Sequence, residues 1–233
     1  MIRTISLLAV ASVCLVFACK KDKNSSAPST STPPVIDSPI VVSVYDNYTQ
    51  LTPGNYWIYQ DYMLDSATGA AHPQGTFDSS YVEKDTTING KVYHKYLDVK
   101  PLSGTSHPEY DVSFLRDSLS YTVNEQGIIK FSSQDFSHTF RSYTYGPNSV
   151  TPDTIKITEQ MGFPNASVTV EAGTFVTSTM RRILRYPSNY RYGPTREYDY
   201  CYSKKIGLIK ETTAIFDAIP QVYERRLVRY HVK

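Results

Sequence analysis

Three cysteines in 233 residues are too few for a disulfide framework, and no Cys-x-x-Cys or His-Glu-x-x-His spacing occurs. The five histidines, His72, His94, His107, His138 and His231, stand singly, so no zinc site is built from local sequence. No two of the eleven glycines are adjacent or one apart, which excludes the glycine-rich loops that cradle phosphates. A Gly-x-Ser-x-Gly elbow for a serine nucleophile is also missing. Charge of one sign is scarce: 24 Lys and Arg stand against 22 Asp and Glu, so there is no electrostatic case for nucleic acid as a partner. No window supports a long, capped amphipathic helix. The expectation is a non-enzyme with no catalytic residues, no cofactor and no metal.

What the chain has instead is tyrosine, 20 of them, with β-branched residues and few runs of Ala or Leu. That composition favours strands. Strand-like alternation begins at Gly54-Asn55-Tyr56-Trp57-Ile58-Tyr59 and recurs at short spacing to Val222–Val232. The predicted fold is all-β: an antiparallel meander of about ten strands curled into a half-barrel, barrel or sandwich, with few or no helices. Phe163–Ala166 and Phe216–Ile219 are the places for a helical turn, and the Pro73/Gly75 stretch reads as loop. In Glu197–Tyr202, period-two alternation puts Tyr198, Tyr200 and Tyr202 on one face and Asp199 with Cys201 on the other.

Asn89-Gly90 between two strand-like runs predicts a type I′ turn, because both residues tolerate positive φ. In that register Val82 faces Leu97, Thr86 faces Tyr93 and Asp85 faces His94. Lys84 opposite Lys95 is its weak point, with no compensation visible in the sequence.

The amino-terminal segment carries an address. Arg3 precedes an apolar run from Ile5 to Phe17, interrupted only by Ser6 and Ser12 and too short to span a bilayer permanently. The run ends Leu15-Val16-Phe17-Ala18-Cys19 and is followed at once by Lys20-Lys21-Asp22-Lys23. This resembles the lipobox of bacterial lipoproteins. The resemblance implies a signal peptide over 1–18, cleavage before Cys19 and acylation of that cysteine, palmitate included, with the new amino terminus acylated as well. Several acyl chains together hold a protein to a membrane nearly permanently, where one alone binds marginally. The stretch 19–44, rich in Ser, Thr and Pro, cannot bury enough apolar surface to order itself and reads as a lipidated, disordered tether. Residues 45–233 then form one β-rich domain. Cys14 would leave with the signal and Cys19 would be lipidated, which leaves Cys201 as a lone thiol, expected buried and inert.

Three further segments carry a family echo. Val168-Thr169-Val170-Glu171-Ala172-Gly173-Thr174-Phe175, Tyr202 through Gly207-Leu208-Ile209-Lys210, and Gly54-Asn55-Tyr56-Trp57 are similar to motifs of a group of Gram-negative envelope lipoproteins. That group is akin to the open half-barrels of the LolA/LolB carriers. The resemblance implies a curved antiparallel sheet whose concave face holds an acyl chain or a partner segment. It transfers no catalytic residue.

The function expected from sequence is a non-catalytic lipoprotein anchored in the cell envelope, at the outer membrane, holding a hydrophobic ligand or partner segment on a concave sheet. The alternatives are a carbohydrate-binding module that stacks sugars on Trp57, Tyr198, Tyr200 and Tyr202, or a structural or assembly subunit. Partners are thus the membrane, through the acyl chains, and a lipid, a glycan or another envelope protein. Tyr186, Tyr190 and Tyr192 extend the aromatic cluster. Ser66, Thr86, Ser118 and Thr154 each follow an aspartate and match a short O-glycosylation acceptor; aspartate before Ser or Thr is also ordinary turn chemistry.

Overall fold

Where apolar and polar residues alternate with period two, a strand has one face to bury and one to wet. A computed structural model describes residues 45–65, 67–100, 109–146, 154–187, 195–214 and 222–233. All fall in one unit, Ser43–Lys233. They form β1 (Tyr56–Leu64), β2 (Ala71–Ile88), β3 (Lys91–Lys100), β4 (Glu109–Ser118), β5 (Tyr121–Asn124), β6 (Ile129–Ser132) and β7 (Thr139–Tyr145). The second half holds β8 (Ile155–Met161), β9 (Ala166–Val170), β10 (Gly173–Arg185), β11 (Thr195–Ser203), β12 (Gly207–Ala214) and β13 (Val222–His231). No helix occurs among the described residues. Among the described residues the strands number thirteen rather than about ten, the excess being the short ribbons β5, β6 and β9.

All pairings are antiparallel, in the order β6-β5-β4-β3-β2-β1-β13-β12-β11-β10-β8-β7, with β9 added against β10. One junction is long-range: β1 pairs with β13, from Tyr56 opposite His231 to Leu64 opposite Val222. The sheet curls into a nearly closed barrel, which decides among the three architectures the sequence allowed. Its seam lies between β6 and β7, neighbours in the chain at opposite ends of the strand order. Side chains bridge that seam. Phe131, Met161 and Met180 pack together, the Ser132 N–H meets Met161 Sδ at 3.4 Å, and Tyr121 meets Phe140 edge-on at 6.1 Å.

The segment before β1 straps these parts together. Tyr48 packs on Phe131 at 5.0 Å, and Phe131 on Tyr202 at 4.9 Å. Thr49 Oγ1 reaches Asp117 at 3.2 Å and Thr122 at 3.1 Å, while the Lys205 N–H donates to the Asn47 carbonyl at 2.9 Å.

The main core gathers Trp57, Tyr59, Val82, Val170, Leu208, Ile209 and Leu227, with Val168 and Phe175 of the β9–β10 ribbon packed on it. The Ala172 N–H at the ribbon's turn donates to the Leu227 carbonyl at 3.1 Å. The three segments of the family echo therefore meet in one cluster.

The Asn89-Gly90 turn has φ of 50° and 73°, as a type I′ turn requires. Thr86 faces Tyr93 and Asp85 faces His94, as expected. Beyond them the register slips by one between Val82 and Lys84, so Val82 faces Tyr96 and Tyr81 faces Leu97. The extra residue is Glu83, and its carboxylate pairs with Lys95 at 2.7 Å. The β-bulge thus supplies the counter-ion for the Lys84–Lys95 pair. The Pro73/Gly75 stretch is not loop but the start of β2. Pro73 pairs with Tyr62 and Phe77 with Gln60, and Gly75 at φ 74° absorbs the surplus residues between them. Residues 164 and 165 form a bend, with Asn165 at φ 59°, and Ala166 already begins β9, so no helical turn forms there. Phe216–Ile219 lies outside the described residues.

Candidate functional site

Alternation along each strand sends every second side chain into the barrel. On β13 this places Arg225 inside along with Leu227, and both are buried. Asp78 and Ser80 enter from β2, Asp98 from β3 and Glu211 from β12. Arg225 Nε stands 3.2 Å from Asp78 Oδ2, and Nη1 stands 3.2 Å from Asp98 Oδ1 and 3.4 Å from Glu211 Oε2. Nη2 donates to Ser80 Oγ at 2.9 Å, and Ser80 in turn donates to Asp98. The guanidinium carbon lies 4.1 Å from the centre of the Tyr59 ring.

One cation here faces three carboxylates. Burial lifts the Asp78 pKa to about 6 against the pull of Arg225. Burial also works to neutralise Arg225, but Asp98 foremost holds its pKa above the ordinary value, so the cation persists.

Of these groups Asp98, Glu211 and Arg225 form one side of a cavity of about 330 Å³. Its other side carries Arg182 and Glu159, an ion pair at 2.8 Å between β10 and β8, together with Lys130 of β6. Tyr96, Tyr200 and Tyr202 line the cavity as well. Burial raises the pKa of all three phenols, Tyr200 to about 12, so each remains neutral. Lys100 and Asp111 complete the charged lining, and both are exposed. Eight charged side chains on the wall make this a polar cavity. An acyl chain placed there would desolvate charges without pairing them. The lining therefore argues against the hydrophobic occupant expected from sequence.

Of the four tyrosine and tryptophan positions singled out for stacking, Tyr200 and Tyr202 line the cavity. Trp57, 1% exposed, donates its indole N–H to the Ile206 carbonyl at 2.6 Å. Tyr198, 5% exposed, packs with Ile155, Ile157, Leu184 and Tyr186. Neither of these two presents a ring face to solvent. Tyr190 and Tyr192 lie outside the described residues, as do His107, Ser66 and Cys19. Thr86 lies within β2 near its turn, Ser118 ends β4, and Thr154 is exposed just before β8.

The remaining histidines are apart from the cavity. His94 pairs with Asp85 at 2.7 Å, His138 pairs with Asp135 at 2.9 Å, and His231 stacks on Tyr56. Among the described residues no group of three His, Cys, Asp or Glu is placed to hold a metal. Cys201 is buried, its sulfur 3.6 Å from Thr179 Oγ1. Sequence reasoning missed Asp98, Glu211, Arg225 and Lys130. The available signal was charge at inward positions, as at Arg225 two residues before Leu227.

A nearly closed antiparallel barrel with a charged lumen is the class that fold and site define. No protein-family model matches the chain, and no curated protein matches it. Two solved structures are similar. One is a candidate lipoprotein from Parabacteroides distasonis, 16% identical, covering 81% of this chain and 100% of that one at a TM-score of 0.45. The other is a candidate exported protein with YmcC-like fold from Bacteroides fragilis, 10% identical, covering 80% and 99% at a TM-score of 0.44. Likeness at this level leaves function to be argued from the chain's own residues.

Proposed function

We propose that this chain is a non-catalytic lipoprotein of the cell envelope, anchored to the outer membrane through acylated Cys19 and holding its barrel off the bilayer on the 19–44 tether. One observation carries this reading: Cys19 directly ends an apolar run of signal length and opens a polar, proline-rich stretch. Two features of the barrel support it. Ion pairs stand on outward strand positions, Lys95–Glu83, Arg181–Asp199 and Lys210–Glu224, each at 2.7 Å, where a membrane-spanning barrel needs an apolar band. In the lumen Asp98 and Glu211 pair with Arg225 and Glu159 pairs with Arg182, and among the described residues no histidine lines the cavity to serve as a base.

Fractionating cells that express the wild type and Cys19→Ala tests the reading. The wild type partitions into the membrane and detergent phases, and the variant, which lacks the acceptor sulfur, leaves them. Recovery of both chains in the aqueous phase refutes it. The rings at Trp57 and Tyr198 are packed away, which disfavours the glycan-stacking alternative.

A further inference from the structure

The two sides of the lumen differ in charge. On β13, β12, β3 and β4 the lining carries Asp98, Asp111 and Glu211 against Arg225 and Lys100. Three negative charges against two positive leave this side acidic at neutral pH. The other side lies near the seam, on β6, β8 and β10. There Arg182 and Glu159 cancel, and Lys130 has no ion-pair partner among the described residues. Burial depresses the Lys130 pKa although Glu159 opposes this, so the ammonium gains from any anion brought beside it. Tyr96, Tyr200 and Tyr202 also line the cavity, and aromatic ring faces attract cations. A purely structural network has no use for an unpaired lysine or for space. The 330 Å³ here equals roughly eleven waters at ~30 Å³ each.

We propose that the lumen binds a small zwitterion of amino-acid or dipeptide size, its ammonium on Asp98, Glu211 and the tyrosine rings and its carboxylate on Lys130. This goes beyond the envelope role and is independent of the lipid anchor. Asp98 and Glu211 retain free lone pairs for the ammonium, because Arg225 is shared among three carboxylates.

Isothermal titration of the purified chain tests the proposal with three probes: L-alanyl-L-alanine, its N-acetyl form and its C-terminal amide. The dipeptide binds at least about ten-fold tighter than either blocked form, one charge-assisted contact being lost in each. Lys130→Met brings the dipeptide and its amide to within about two-fold, and Glu211→Gln narrows the gap between the dipeptide and its N-acetyl form at least about two-fold, Asp98 still holding the ammonium. Circular dichroism confirms that both variants keep the barrel, and Glu211→Gln retains an acceptor for Arg225. Absence of binding by the wild type at about 10 mM dipeptide overturns the proposal, as does equal affinity for all three probes. Discrimination at one end only overturns it too, since the site then takes a simple anion or cation. Unaltered discrimination in both folded variants places the ligand elsewhere and equally overturns it.

Discussion

The indole of Trp57 lies directly on the backbone of Gly207: a Cβ at Gly207 would stand 2.8 Å from Trp57 Nε1. The φ of 111° at Gly207 adds a second reason for glycine. Gly207→Ala therefore costs about 3 kcal/mol, through overpacking and backbone strain together. Gly127 has positive φ with open space around it, so Gly127→Ala costs only about 1 kcal/mol. Urea denaturation of both variants checks the difference, and equal losses would contradict the contact.

Arg225 holds one side of the lumen by neutralising acids that burial would otherwise leave uncompensated. Arg225→Met is expected to destabilise the barrel by about 3–5 kcal/mol, because removing one partner leaves buried charge unpaired. Adding Asp98→Asn recovers part of that loss, with a coupling of about 1–3 kcal/mol in a double-mutant cycle. Additive losses would show that Arg225 and Asp98 do not act on each other.

Asp78 sets a pH dependence of definite sign. Its pKa is about 6 in the fold against an ordinary 3.8. Between those values the folded chain holds a proton that the unfolded chain has released, so this group's contribution falls as pH rises and is lost above about 6. Asp78→Asn cannot titrate. The stability of Asp78→Asn relative to wild type thus rises across that window, read from urea midpoints in steps of pH. A flat difference would place the Asp78 pKa near its ordinary value.

Cys201 is buried, and desolvation raises its pKa. Its thiol is expected to react with Ellman's reagent only when the barrel opens, with labelling speeded by urea in step with unfolding. Rapid labelling of the native chain would contradict the packing around Thr179 and Cys201.

Much of the strand pattern was legible because alternation is local. Tyr198, Tyr200 and Tyr202 do share one face, and the Asn89-Gly90 turn forms where those two residues predict it. The Glu83 bulge escaped because an extra residue in a strand leaves no mark except a mismatched pair, here Lys84 and Lys95. The passage of β2 through Pro73 and Gly75 escaped because both residues ordinarily end strands. Barrel closure depends on β1 meeting β13, a pairing no local pattern encodes. The lumen was hidden for the same reason: Asp98, Glu211 and Arg225 read as surface charges until the strands that carry them are wrapped round one another.

Mass spectrometry of the amino-terminal peptide, taken from the membrane fraction of cells producing the native chain, bears most directly on the lipid anchor. The expected result is a peptide beginning at Cys19 and carrying the mass of attached acyl chains. A chain that keeps residues 1–18, or that begins at Cys19 with an unmodified thiol, would contradict it.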